Sequence, residues 1–412
     1  MRLPIFALFA FAALCTSSCS FGGGRTAILW TDRPEFAVYA GYFNASQDRY
    51  AIETFYQAFP AQKLAGNEGS VDIVVGSWLK GDLTRGFFTP LNQYFANGAL
   101  RKDVFYHQLL EMGSINGRQY LVPVSFNIPM MVFPRNKEAD MPNPFTIGFD
   151  DIKALGKSHN VQTNGVYTQM GFSPTWGSHF LFLTATLFGA SFSEAVPLAW
   201  DKAAVDEAMQ FVQDWTKEAN TSMQAVDDFA FRYLYFPPAN LVLSGRILFT
   251  SMDSGSYFTL GEGRRGGLAF RWLAEKDTIP VSEKSVYLGL ARKGRGTKAA
   301  KAFLEWFFDA DTQRFLLEKS RQYRMAETSF GIGGGFSAMR TVTEQVFPQF
   351  YPDLLGHVPP EDFLSPPNIL PSNWLAMKEQ VVLPYLQDRA RVSGIANPLE
   401  RRLADWSRIN QR

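Results

Sequence analysis

The chain has 412 residues, 46% of them hydrophobic and 15% aromatic, enough to build the cores of two lobes rather than one. Lys and Arg at 40 against Asp and Glu at 39 leave no cationic surplus for nucleic acid, so no nucleic-acid partner is expected. Four isolated histidines (His107, His159, His179, His357) and two cysteines without ligand spacing argue against a zinc centre. No metal and no cofactor are expected.

The first predicted element is a leader. Arg2 supplies a positive start, "LPIFALFAFAAL" is an apolar run too short to span as a helix, and the small residues "TSS" lead to Cys19. The pattern resembles a bacterial lipoprotein signal, which implies removal of residues 1–18 and acylation of Cys19. Thr16 stands where such signals usually carry Leu, and an ordinary secretory signal cleaved near Ser18 is the alternative. Residues 19–25, "CSFGGGR", then form a flexible tether. Cleavage would remove Cys15 with the leader and leave Cys19 as the anchor, a usage that suits an oxidising envelope. Beyond the leader, no apolar run of eighteen or more residues predicts a membrane span.

"TAILW" reads as a short buried strand, "FAVYAGYFNAS" as an amphipathic helix and "YAIETFY" as a second strand. "VDIVVGSW" is a third, and "LKGDLTRGFFTPLNQYF" reads as helix, turn and short helix. This alternation predicts βαβ units around a largely parallel sheet, in which ligands bind beyond the carboxyl ends of strands. Asp32 and Arg33 follow the first strand; Ser77 and Trp78 follow the third.

The same segments resemble, in order, a known family. "VDIVVGSWLKGDLTRGFFTPLNQYF", "MGSINGRQYLVPVSFNIPMMVFPRNK", "FTIGFDDIKALGKS", "GRILFTSMDSGSYF" and "VYLGLARKGRGTKAAKAFLEWFFDADTQRFLLEKS" are similar to successive stretches of extracellular solute-binding proteins of the maltose-binding type. The likeness runs over residues 26 to 340. It implies an α/β, two-lobed, periplasmic-binding-protein-like fold of type II, each lobe a mixed sheet flanked by helices, with a hinge between. Lobe one is expected over 26–132 plus 286–335, lobe two over 133–285 plus 336–412, and the hinge near Pro129 to Arg135. The resemblance further implies a monomeric, lipid-anchored substrate-capture component of an ABC importer in the cell envelope. Such a protein takes a small solute between its lobes, delivers it to permease subunits in the membrane, and is not an enzyme.

Sugars offer apolar faces to aromatic rings and hydroxyl rims to polar side chains. The candidate ligand contacts are therefore Asp32, Arg33, Glu35, Ser77, Trp78, Phe126, Asn127, Trp176, Asp253, Ser254, Tyr257 and Tyr287, with Ser256 beside them. Competing structural roles stay open: Asp32 and Asp253 suit helix caps, Arg33 can pair with Glu35, and Trp176 can staple the helix that follows. Trp30, Trp272, Trp306 and Trp374 are expected in the core. "GEGRRGG" has the spacing of a dinucleotide fingerprint but is followed by strand-like "LAFRW", so it reads as a turn. Polyamines compete with sugars as ligand through Asp32, Glu35 and Asp253. A surface adhesin, and a glycoside-acting enzyme using Asp32 with Asp253, are the remaining alternatives.

Overall fold

The computed structural model describes residues 24–66, 70–392 and 397–410, so the leader and Cys19 lie outside the described residues. Two sheets organise the chain. Its principal strands are β1 (Thr26–Thr31), β2 (Ala51–Tyr56), β3 (Ile73–Gly76), β4 (Leu121–Phe126), β5 (Pro129–Pro134), β6 (Thr146–Ile147), β7 (Thr250–Asp253), β8 (Leu268–Leu273), β9 (Val286–Leu290) and β10 (Phe336–Ser337). The first sheet has the order β10-β4-β9-β3-β1-β2 and the second β7-β5-β8-β6.

The predicted βαβ units are present: β1 pairs in parallel with β2 and with β3. The first sheet as a whole is nevertheless mixed, because β9 runs antiparallel to both β3 and β4, and β10 antiparallel to β4. The reason is topological. Strand β4 leaves the sheet at the cleft end, so a strand returning from the second sheet must run against it.

The hinge is shorter than expected. All of "PMMVFP" is strand β5, paired on one edge with β7 and on the other with β8, so the chain passes between sheets at Asn127–Ile128. Alternate residues of β5 face opposite cores: Met130 and Val132 on one side, Met131 and Phe133 on the other. A strand covered on both faces reads as a continuous apolar run, which hides its edges in the sequence. The third crossing also shifts, since β10 still belongs to the first sheet.

One core runs through the crossings. Phe258, next to β7, stacks on Phe330 at 4.6 Å, and Phe336 of β10 lies 5.0 Å from Phe330 and 6.0 Å from Trp272 of β8. A separate core forms where the helix Leu383–Arg391 packs on the helices Ser178–Leu187 and Lys202–Asn220. Asp201 starts the last of these by accepting from the Ala204 amide. The C-terminal region thus packs on these two helices. Within it, Lys378–Val382 form a π-helical turn between two α-helical stretches, a distortion often found at functional sites.

Candidate ligand-binding site

The main cavity, about 650 Å³, lies where the crossings meet the helices Ser178–Leu187 and Trp374–Met377. Ile128 and Pro129 close it at the hinge, and Ser251, Met252 and Asp253 bring the end of β7 to it. The chain returning toward β9 contributes Ser282, Glu283 and Lys284. Helix Ser178–Leu187 presents His179, Phe182 and Thr186, and the C-terminal segment adds Ser365 to Asn368, Trp374 and Lys378.

An aromatic wall forms one side. Phe182 and Phe192 stack at 5.5 Å, and Trp374 lies 6.1 Å and 5.6 Å from them. The Trp374 indole nitrogen is buried without an acceptor among the described residues, a donor that a ligand oxygen can satisfy. Trp374 was expected in the core; it is fully buried and lines the cavity as well.

Beside the wall stands an ion pair. Lys378 Nζ donates to Glu283 Oε1 and lies 3.8 Å from the centre of the Phe182 ring. The Lys378 side chain is only 4% exposed. Burial pushes the Glu283 carboxyl up, but the charge and hydrogen bond of Lys378 outweigh it and hold the group below the usual range. His179, 3.6 Å from Glu379, is pushed down by burial and by the Lys378 charge.

Two smaller cavities lie at the seam with the first lobe. One, of about 120 Å³, is lined by Asp32, Arg33, Phe59, Gln62, Ser77, Trp78, Lys284 and Ser372. Asp32 Oδ1 sits 3.3 Å from Arg33 Nε, and neither atom has a hydrogen-bond partner among the described residues. Burial raises the Asp32 pKa, and Arg33 opposes it. The Ser77 hydroxyl donates to the Lys284 carbonyl at 2.8 Å. Trp78 adopts φ 57°, a left-handed backbone unusual for a bulky residue, and its indole nitrogen is buried without a partner. A third cavity, about 40 Å³, joins Trp78 and Tyr287 to Glu283.

The sequence-derived residues therefore separate. Asp253 lines the main cavity and also accepts the Ser256 amide at 2.6 Å, so capping and cavity lining coincide there. Asp32, Arg33, Ser77, Trp78 and Tyr287 line the seam. Glu35, Phe126, Asn127, Trp176, Ser254 and Tyr257 line none of these cavities. Phe126, ending β4, packs against Tyr106 and Phe336, and Tyr257, in the short helix Ser254–Phe258, against Phe258 and Phe270, each on the inward face of its element. Glu35 accepts from the Ser329 hydroxyl rather than pairing with Arg33. Asn127 bridges the crossings, donating to Gly334 and accepting from Ser254, whose hydroxyl also accepts the Ile128 amide. Trp176 stacks on Phe229 at 5.8 Å. The glycine-rich "GEGRRGG" is a single helical turn, Glu262–Arg265, ahead of β8. Asp32 and Asp253, the pair considered for glycoside chemistry, line different cavities.

Sequence reasoning missed Glu283, Lys284, Lys378, His179, Phe182 and Phe192. One signal was available: Lys378 is the lone charge in the apolar stretch "WLAMK", four residues after Trp374 and hence on the same helical face.

A family model described as bacterial extracellular solute-binding protein matches residues 43–329. The chain belongs to that family. This solute-binding protein shares its two-lobed fold with solved structures of low sequence identity. The cyclic α-maltosyl-1,6-maltose binding protein of Arthrobacter globiformis is 18% identical with a TM-score of 0.61, over 92% of this chain and 96% of that one. A sugar transporter of Rhizobium etli in an open conformation is 13% identical with a TM-score of 0.64, over 92% and 98%. An ABC substrate-binding protein of Listeria monocytogenes in complex with cycloalternan is 12% identical with a TM-score of 0.60, over 94% and 98%. No curated protein matches the chain. The family is one of extracellular binding proteins rather than enzymes. Among the described residues of this solute-binding protein, no cluster of His, Cys, Asp or Glu is fit to hold a metal, and no helix is long and apolar enough to cross a membrane.

Proposed function

We propose that this solute-binding protein captures an uncharged sugar or short oligosaccharide in the 650 Å³ cavity and hands it to an ABC permease. The observation that carries this is the Phe182–Phe192–Trp374 wall standing beside a self-compensated Glu283–Lys378 pair. Aromatic faces suit the C–H faces of a sugar ring. Ionic groups that already neutralise each other remain hydrogen-bonding groups for hydroxyls without demanding a charged ligand. The polyamine alternative keeps one of its three acids: Asp32 is paired with Arg33 and Glu35 lines no cavity, while Asp253 lines the cavity with Oδ1 engaged in a cap. The Arthrobacter protein, a maltosyl-maltose binding protein, and the Listeria protein, in complex with cycloalternan, favour the same class.

The protein acts as a monomer tethered through lipid on Cys19, with Asp253 in the main cavity and Asp32, Arg33, Ser77, Trp78 and Tyr287 facing the solute from the seam. Lobe one comprises the first sheet with its helices, and lobe two the second sheet with the C-terminal region. It catalyses no reaction. Differential affinity of the solute for the closed state over the open one suffices to drive closure.

Thermal unfolding with maltose, mannotriose, cyclic maltosyl-maltose, spermidine and amino acids tests the proposal. A ligand that binds only the folded state raises the melting temperature. A rise with a glycan is expected, and a rise with spermidine alone would replace the sugar assignment by the polyamine one.

A further inference from the structure

The solute-binding proposal leaves unused a contact across the seam, outside all three cavities described above. Glu194 sits in the hairpin formed by Phe192–Ser193 and Ala199–Trp200 of the second lobe, and its amide donates to the Ile369 carbonyl at 2.8 Å. Its backbone is therefore fixed to the wall of the second lobe. Its carboxylate reaches the other way, where Oε2 accepts the Asp82 amide at 2.7 Å, at the start of the short helix Asp82–Arg85 that follows β3 of the first lobe. Arg85 holds the Asp82 carboxylate at 2.8 Å, offsetting the repulsion between the two acids.

The approach depends on Gly81. Its φ of −59° and ψ of 161° are open to any residue, so conformation does not demand glycine there. Space favours it: a Cβ would stand 3.0 Å from Glu194 Oε1 and 3.3 Å from the Leu370 carbonyl, so the carboxylate would have to give way by a few tenths of an ångström. The other direct side-chain bond across this part of the seam, Gln62 to the Ser372 carbonyl, is 3.4 Å long. The Ser77 bond to Lys284 involves the crossing strand itself, so lobe separation need not break it.

We propose that Glu194 and Gly81 form a closure latch: the Glu194 carboxylate grips the Asp82 amide across the cleft mouth, and the missing side chain of Gly81 lets it approach. The latch rests on the solute-binding reading for its purpose, retention of captured solute. Both residues act as positioning residues, with no ligand contact of their own.

The test needs no ligand, so it stands or falls apart from the identity of the solute. Small-angle scattering of the purified protein reads the balance of closed and open forms through the radius of gyration. Glu194→Ala and Gly81→Ala are each expected to lower the closed-to-open ratio by about tenfold or more, the worth of one hydrogen bond to a charged acceptor. Glu194→Gln, which keeps an oxygen acceptor but not its charge, is expected to fall between the parent and Glu194→Ala, a partial rescue that tracks the acceptor. Melting temperature, read alongside, identifies a variant that has lost its fold, and the other alanine variant then decides. An unchanged radius of gyration in the folded alanine variants overturns the latch, as does a Glu194→Gln variant as open as Glu194→Ala.

Discussion

Lys378 of the C-terminal helix and Glu283 of the chain returning to β9 form an ion pair against the face of Phe182. The pair joins segments 95 residues apart in sequence at the floor of the main cavity. Removing one partner strands the other in a nearly water-free site, whereas removing both does not. Lys378→Met is therefore expected to lower unfolding stability by about 3 kcal/mol, and Lys378→Met with Glu283→Gln by clearly less. Urea unfolding of the two single variants and the double variant checks the coupling. A loss in the double variant equal to the sum of the two single-variant losses would mean the pair is uncoupled.

The same pair sets an acid limit. The folded-state pKa of Glu283 lies below its unfolded value, so its stabilising contribution is complete above the ordinary carboxylate pKa of about 4.3 and fades as pH falls through the folded value. Melting temperature in the parent should drop over this acid range more steeply than in the double variant.

Histidines act in a milder range. Burial pushes the pKa of His159, bonded to the Gly245 carbonyl, and of His179 below the unfolded value of about 6.5. The unfolded chain then takes up protons first on acidification, so stability falls as pH drops below about 6.5. His159→Gln, which keeps a donor for Gly245, should flatten the stability profile between pH 7 and pH 5. An unaltered slope in urea-unfolding series across that range counts against the assignment.

The tryptophans should divide by location. Trp374→Ala removes the centre of the aromatic wall and is expected to weaken glycan binding at least tenfold. Trp176→Ala, which unstacks Phe229 and Phe172, should instead cost about 3 kcal/mol of stability and change affinity less than twofold. Calorimetric titration against the glycan found in the thermal screen separates the two.

Close backbone approach makes a third kind of site. A Cβ on Gly171 would lie 2.2 Å from the Gly156 carbonyl oxygen, backbone against backbone, with no side chain to give way. Gly171 also accepts the Leu248 and Phe249 amides and donates to Asn160, so it cannot slide aside. Gly171→Ala is expected to destabilise by about 2 kcal/mol or more, read from the urea midpoint.

The βαβ units, the seam positions after β1 and β3 and the family likeness were legible because they rest on local pattern: a strand, then a polar residue at its end. Asp32, Ser77 and Trp78 were found that way. Phe126 and Tyr257 were misplaced because adjacency to a strand end does not say which face a side chain takes. Half of the main cavity was beyond reach for another reason. Ser365 to Lys378 carries little regular structure before its helix, and its meeting with Phe182 and Glu283 is made only by packing.

The stack that threads Phe258, Phe330, Phe336 and Trp272 through the crossings means that part of the interior is common to both sheets. A chimera built by exchanging residues 129–273 alone would cut that stack in two. Grafting a foreign specificity onto this scaffold calls for transplanting residues 330–351 with the second lobe, or for leaving both in place and rewriting the cavity walls one side chain at a time.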